Sequence, residues 1–349
     1  MSPFLIYGAT GYTGRLCAEH AVSRGLRPVL AGRSASAVRE LAEGLGLEWR
    51  AFGLDDPRAL RDGIRDMKAV LHAAGPFSAT ALPMAQACLA AATHYIDITG
   101  EIDVFEALAT RTDEAAAARI MLLPGAGFDV VPSDCLAVHT AARLPGATRL
   151  RLSIGGFQGM SRGTAKTMLE GVAYGTRSRR GGRIVELAQT PRATADFGHG
   201  PRPTIGLGWG DVATAWSSTG VPEIDVFFQA SPALSRAAAM PRLLKRLLAT
   251  GISQRWLKHG IERRLPAGPT PEQRAHSQCL FLAEAWDARG RRVASRMRSP
   301  EGYTLTAATA VEIARRAATG DAPTGYQTPA TAYGADFILS FDGIERVDL

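Results

Sequence analysis

Asparagine is absent from this 349-residue chain, and lysine occurs only at positions 68, 166, 245 and 258. Arginine therefore carries most of the positive charge. GC-rich codon usage would produce that bias, so the arginine excess has no functional weight by itself. Cysteine is scarce: Cys17, Cys88, Cys135 and Cys279 are scattered and no Cys-x-x-Cys occurs. That pattern indicates neither a zinc site nor a disulfide framework and fits a reducing cytoplasm. No His-Glu-x-x-His or clustered His/Cys set suggests a metal. Long apolar runs are lacking too. The most alanine-rich stretch, ATALPMAQACLAAATHY, is broken by Pro83, Gln86 and His94, so it is no membrane span. The opening residues, with Pro3 and no charged stretch, predict no secretory leader.

What is present describes an ordinary globular protein: 46% hydrophobic and 21% charged residues, in a chain long enough for two domains. Charge is uneven along it. Residues 1–150 hold 14 basic and 16 acidic side chains, a net of −2, while the remainder holds 26 and 17, a net of +9. The first part does not read as a nucleic-acid binder, and the second is suited to an acidic partner.

Short apolar runs alternate with helical patterns through the first 140 residues. Strands are predicted at 3–7, 28–32, 48–53, 69–73, 94–98 and 119–124, and helices near 13–25, 35–45, 57–66, 80–92, 102–118 and 133–143. That alternation predicts an α/β fold with a parallel sheet covered by helices on both faces. Beyond RLPGATRLRLSIGGFQG the runs lengthen, as in IDVFFQA and HSQCLFLAEAWDARGRRVASRMRS. They predict a second, α+β domain on a mainly antiparallel sheet. PRATADFGHGPRPTIGLGWGD reads as a long loop over a site. A helix at 303–318 and a strand near 336–341 close the chain. The predicted domains are 1–145 and 146–349, with the C-terminal helix and tail available to pack back on the first.

YGATGYTGRL, residues 7 to 16, carries Gly8, Gly11 and Gly14 between the first strand and the first helix. In a dinucleotide site the first glycine allows the tight turn, the second lets backbone approach a pyrophosphate, and the third lets helix and sheet pack closely. The helix N-terminus then offers N–H groups to the anion. Thr10, Tyr12 and Thr13 belong to the same turn. The second strand ends PVLAGRS, where an NAD site usually has an acidic residue for the ribose 2′-hydroxyl. Arg33 and Ser34 stand there instead, and a guanidinium pairs well with a 2′-phosphate, so NADP is the expected cofactor. Asp55, after the third strand, is placed at the adenine, or Asp55 or Asp56 serves as a helix cap. Ala74, Gly75, Pro76 and Phe77, after the fourth, line the ribose–nicotinamide half or form a simple turn.

GATGYTGRL, AGRS, AAGPF, YIDITGE and GAGFDVVPSD, in that order, resemble the saccharopine dehydrogenase-like NADP-binding proteins, closest to the branch containing the trans-acting enoyl reductases of bacterial polyketide and lipid synthesis. The resemblance covers about the first 140 residues. It is thinner afterwards, resting on GGFQGMSRGTAKTMLEG and YQTPATAYGADF. It implies a Rossmann domain followed by a substrate domain whose sheet faces the nicotinamide.

A reductase needs a proton source and a group that stabilises developing charge. GAGFDVVPSD supplies Gly127 and Phe128 to the cofactor site and Asp129 as a catalytic candidate or turn residue; Ser133 and Asp134 are equally helix caps. The YIDITGE loop offers Tyr95, Asp97 and Glu101, of which Tyr95 is a proton-donor candidate or a core tyrosine. Lys166, opening a later helix with Arg162 and Thr164, is a substrate-binding candidate or a solvated lysine. No Tyr-x-x-x-Lys pair of the short-chain dehydrogenases occurs, and Cys135 lacks the motif of a semialdehyde dehydrogenase nucleophile.

The expected function is NADPH-dependent reduction of an activated C=C bond. Imine reduction and non-catalytic NADP sensing stay open as alternatives. In residues 236–264, Met240, Leu243, Leu244, Leu247 and Leu248 share one helical face while Arg242, Lys245 and Arg246 fall away from it. That segment is scaffold, a peripheral membrane helix or a dock for an acidic acyl carrier. A homodimer and a cytoplasmic location complete the expectations.

Overall fold

The computed structural model describes residues 4–156, 161–172, 175–240 and 250–349. Its first strands are short and apolar: β1 (Phe4–Tyr7), β2 (Val29–Gly32), β3 (Trp49–Ala51), β4 (Ala69–His72), β5 (His94–Asp97) and β6 (Met121–Leu123). Between them run α1 (Tyr12–Ser23), α2 (Ala35–Leu45), α3 (Pro57–Ile64), α4 (Phe77–Ala91), α5 (Ile102–Ala109) and α6 (Thr112–Ala117). The predicted single helix over 102–118 is two, because Thr110 closes the first and Arg111 opens the second.

The next stretch contains α7 (Val131–Ala142), β7 (Ala147–Gly155), α8 (Arg162–Val172), β8 (Arg177–Arg180), β9 (Arg183–Glu186), β10 (Arg192–Asp196), β11 (Pro201–Gly206), α9 (Asp211–Thr219) and β12 (Glu223–Gln229). It continues with α10 (Pro232–Ala238), α11 (Gly251–Arg264), α12 (Pro271–His276), β13 (Gln278–Asp287) and β14 (Arg292–Pro300). The chain ends through α13 (Gly302–Ala318), β15 (Gly325–Tyr326), α14 (Pro329–Tyr333) and β16 (Glu345–Asp348).

Two compact units result. One runs to Val131 and resumes at Gly302–Gly334; the other comprises Pro132–Glu301 and Ala335–Leu349. The sequence expectation cuts at 145, with the C-terminal helix and tail available to pack back on the first domain. In the first unit seven strands lie in the order β15-β6-β5-β4-β1-β2-β3, all parallel. β1, β2 and β4 are buried along their whole length, as strands covered on both faces must be. Strand order reverses beside β1, between β4 and β2. In open α/β sheets that reversal makes the crevice where ligands bind.

The second unit is built on nine strands. Its path is β10-β11-β12-β7-β13-β14-β16, with β8 paired to β12 and β9 to β8. Among its described strands only β12 with β7 is parallel. The stretch read as a long loop, 191–211, is instead the β10–β11 hairpin. Asp196 Oδ1 closes its turn by accepting the amides of Gly198 (2.8 Å) and Gly200 (3.1 Å). Pro201 and Pro203 stand two apart, so their missing N–H groups fall on the same edge of the strand and the ladder survives. The strand predicted at 336–341 is a single 3-10 turn, Phe337–Ser340, with Asp336 held by Arg346 at 2.6 Å; the strand comes later, as β16 on β14. All four cysteines are buried, Cys17 and Cys88 in the first unit and Cys135 and Cys279 in the second. Among the described residues no helix is long and apolar enough to cross a membrane.

Candidate functional site

The three glycines of the first turn do three different jobs. Gly8 has φ +81°, and a Cβ there would stand 2.8 Å from the Ala74 Cβ and amide nitrogen. It serves both the turn and close packing against the loop after β4. Gly14 is buried, and a Cβ on it would land on the Gly8 carbonyl oxygen. Gly11 is exposed, with φ −70°, and would meet only that same oxygen, at 3.3 Å. The turn thus leaves open backbone at Thr10 and Gly11, in front of α1. That helix has no side-chain cap at Gly11 and no acid in its first turn, so its N-terminus suits an anion.

After β2, Arg33 is exposed, and Ser34 caps α2 by accepting the Ala37 amide. Asp56, not Asp55, caps α3, accepting the amides of Arg58 (2.9 Å) and Ala59 (3.2 Å). Asp55 stays exposed, its carboxylate folded over Gly53. The Tyr7 hydroxyl, donated to the Phe52 carbonyl at 3.0 Å, reports on both charges. Burial raises its pKa, Arg33 lowers it and Asp55 raises it, so both charges stand near the end of β1.

After β4, the Gly75–Pro76 peptide is cis, and Thr80 Oγ1 donates to the carbonyls of Ala74 (2.7 Å) and Pro76 (3.0 Å). The Phe77 ring turns inward, 5.4 Å from His72 and edge-on, so only the backbone of Phe77 lies at the edge of the sheet. The loop after β6 is held from two sides. Gly125 (φ +78°) donates to Asp97 Oδ1 at 3.0 Å, while Thr306 Oγ1 accepts the Phe128 amide at 2.9 Å. Thr309 Oγ1 donates to the Ala126 carbonyl at 2.7 Å. Gly127 packs on Thr306, and the Phe128 ring is buried against Gly302.

Asp129 follows on that loop, half-buried. Its Oδ2 is 3.0 Å from where a Gly100 Cβ would be, and burial pushes its carboxyl up to about 7. The other two catalytic candidates are Tyr95 and Lys166. Tyr95 is fully buried in the core and gives its hydroxyl to Asp97 Oδ2 at 2.6 Å. Lys166 lies in the second unit and pairs with Glu262 at 2.9 Å. Asp134, also in the second unit, is buried and accepts the Ser218 hydroxyl at 2.6 Å. The candidate helical face at 243–248 lies outside the described residues.

Two features escaped the sequence reading. The first is Thr306 and Thr309, whose loop partners are more than 170 residues away in the chain. The second is the role of Glu101, read only as a polar candidate of its loop: its carboxylate accepts the first two amides of α4, Phe77 at 2.9 Å and Ser78 at 2.7 Å. One local sign existed: α4 begins after Pro76, which has no side chain able to cap it.

Residues 4–123 match the model of the saccharopine dehydrogenase NADP-binding domain. Over this stretch the chain is similar to saccharopine dehydrogenase-type NADP-binding domains. The glycine cradle, the open α1 N-terminus and Arg33 fit that cofactor. A provisionally named trans-acting enoyl reductase of Mycobacterium tuberculosis is 37% identical over 189 residues, 48% of this chain and 43% of that protein. A trans-acting enoyl reductase of Mycobacterium ulcerans is 36% identical over 149 residues, 39% and 34%. The matched regions thus span less than half of these curated relatives. The whole fold is similar to that of saccharopine dehydrogenase (L-glutamate-forming) from Saccharomyces cerevisiae, with TM-score 0.64 over 100% of both chains at 12% identity.

Proposed function

We propose that this chain is an NADPH-dependent oxidoreductase that reduces an activated C=C bond, in an enoyl thioester or a related polyketide or lipid intermediate. The observation that carries the reading is Asp129: a half-buried carboxyl, raised to about 7, on the same sheet edge as the NADP-binding glycine turn. NADPH supplies the hydride when bound. The chain's part is to hold the phosphates at α1, the 2′-phosphate at Arg33, and a proton on Asp129 that completes reduction at the neighbouring carbon. A carboxyl that keeps its proton near neutrality is matched to that task. The mycobacterial relatives are named trans-acting enoyl reductases, which supports the choice of C=C.

The basic segment 236–264, with its exposed Trp256 and Arg263, is proposed to recruit an acidic acyl carrier by salt-sensitive attraction. Lys245→Glu/Arg246→Glu would then slow reduction of carrier-bound substrate at low salt and spare the free thioester. The activity is tested with NADPH deuterated at C4 and a panel of enoyl thioesters, enones and imines. Deuterium is expected in the reduced thioester. Transfer to imines alone would make the protein an imine reductase, and no transfer anywhere would leave an NADP sensor.

A further inference from the structure

Glu101 offers something beyond a helix cap. Its two carboxylate oxygens take the Phe77 and Ser78 amides from across the sheet edge, 24 and 23 residues away. Its own amide donates to Thr99 Oγ1 at 3.0 Å, and the Thr99 amide donates to Asp97 Oδ1 at 2.9 Å. The same Asp97 oxygen takes the Gly125 amide. One chain of hydrogen bonds therefore ties three consecutive loops of the sheet edge: 73–78 after β4, 98–101 after β5 and 125–129 after β6.

Two consequences follow from charge. The α4 N-terminus already has its anion, supplied by the protein, so the cofactor phosphates are directed to α1, whose first turn holds no acid. The loop 73–77 is also held at its far end by a charged group. Charge-assisted hydrogen bonds are about twice as strong as neutral ones.

We propose that Glu101 is the positioning residue for the nicotinamide half of the site: it fixes the Ala73–Phe77 loop that receives the ribose and nicotinamide, and leaves the adenosine half alone. This rests on the NADP reading and on the placement of loop 73–77 against the nicotinamide ribose. The adenosine half is built from other elements, with Arg33 after β2 and Asp55 after β3.

The test separates the two halves of the ligand. Dissociation constants of NADPH and of 2′,5′-ADP, which lacks the nicotinamide, are measured by fluorescence and competition on the purified full chain and on Glu101→Gln. The glutamine oxygen can accept one amide but its NH₂ cannot accept the other. NADPH binding is expected to weaken by about tenfold, the worth of one charged hydrogen bond, with 2′,5′-ADP unchanged within about twofold. Equal weakening of both ligands, or of neither, overturns the proposal. Wild type binding neither ligand would instead sink the NADP reading itself. Should Glu101→Gln fail to fold, Glu101→Asp, which keeps the charge and loses reach, carries the same comparison.

Discussion

At the scale of single residues, the site separates groups by what their surroundings do to charge. Arg33 is exposed and available to a phosphate, whereas Tyr95 is sealed in the core and already committed to Asp97. Arg33→Ala should raise the NADP dissociation constant by about tenfold or more, the cost of a hydrogen bond to a charged group. NAD binding should stay within about twofold; equal losses for both would show that Arg33 does not read the 2′-phosphate. For Asp129 the raised pKa sets the pH profile of the proposed reduction. Its proton is held below about 7 and lost above, so the rate at saturating substrate should fall as pH rises through 7. Asp129→Asn should flatten that fall and lower kcat by about 10²-fold or more. An unchanged profile would move the proton donor elsewhere.

At the scale of elements, the strand–turn–helix pieces were legible because their signals are local. Gly8, Gly11 and Gly14 sit within seven residues, and each parallel strand is a short apolar run beside a helix pattern. What could not be read were ties between elements distant in sequence. α13 was visible as a helix, but nothing in residues 303–318 announces that Thr306 and Thr309 steady the loop after β6. Thr306→Val tests the weight of that tie. It removes the hydroxyl that accepts the Phe128 amide, which should cost about 1 kcal/mol or more and lower the melting temperature of the purified protein. A melting temperature equal to wild type would mean that the loop finds another acceptor. The β10–β11 hairpin was misread because glycine and proline density usually marks a loop; here Asp196 organises the turn and the prolines share one edge.

At the scale of the whole molecule, the first unit is assembled from two stretches of chain separated by 170 residues of the other unit. The cut at 145 would therefore leave the parallel sheet without α13 and without β15 on the edge of β6. A fragment of residues 1–145 should aggregate or fail to bind NADPH, while 1–131 joined to 302–334 by a short linker should bind it; the reverse result would restore the simpler division. Charge also acts at this scale. Asp97 and Asp129 are both raised from 3.8 to about 7 by burial, so the folded chain keeps protons that the unfolded chain releases near pH 4. Their ionisation costs stability as pH rises from about 4 to 7 and no further above that. Asp129→Asn should gain melting temperature relative to wild type across that window; a constant difference would place the carboxyl in better solvation.

The buried cysteines make the protein its own unfolding gauge. Burial pushes the Cys17 thiol up to about 12 and those of Cys88 and Cys135 higher still, so none offers a thiolate to an alkylating reagent at neutral pH. Labelling in a denaturant series should then be silent until a unit opens. Cys17 and Cys88 would time the first unit and Cys135 and Cys279 the second, and peptide mapping of the labelled thiols would show whether the two open together or in turn.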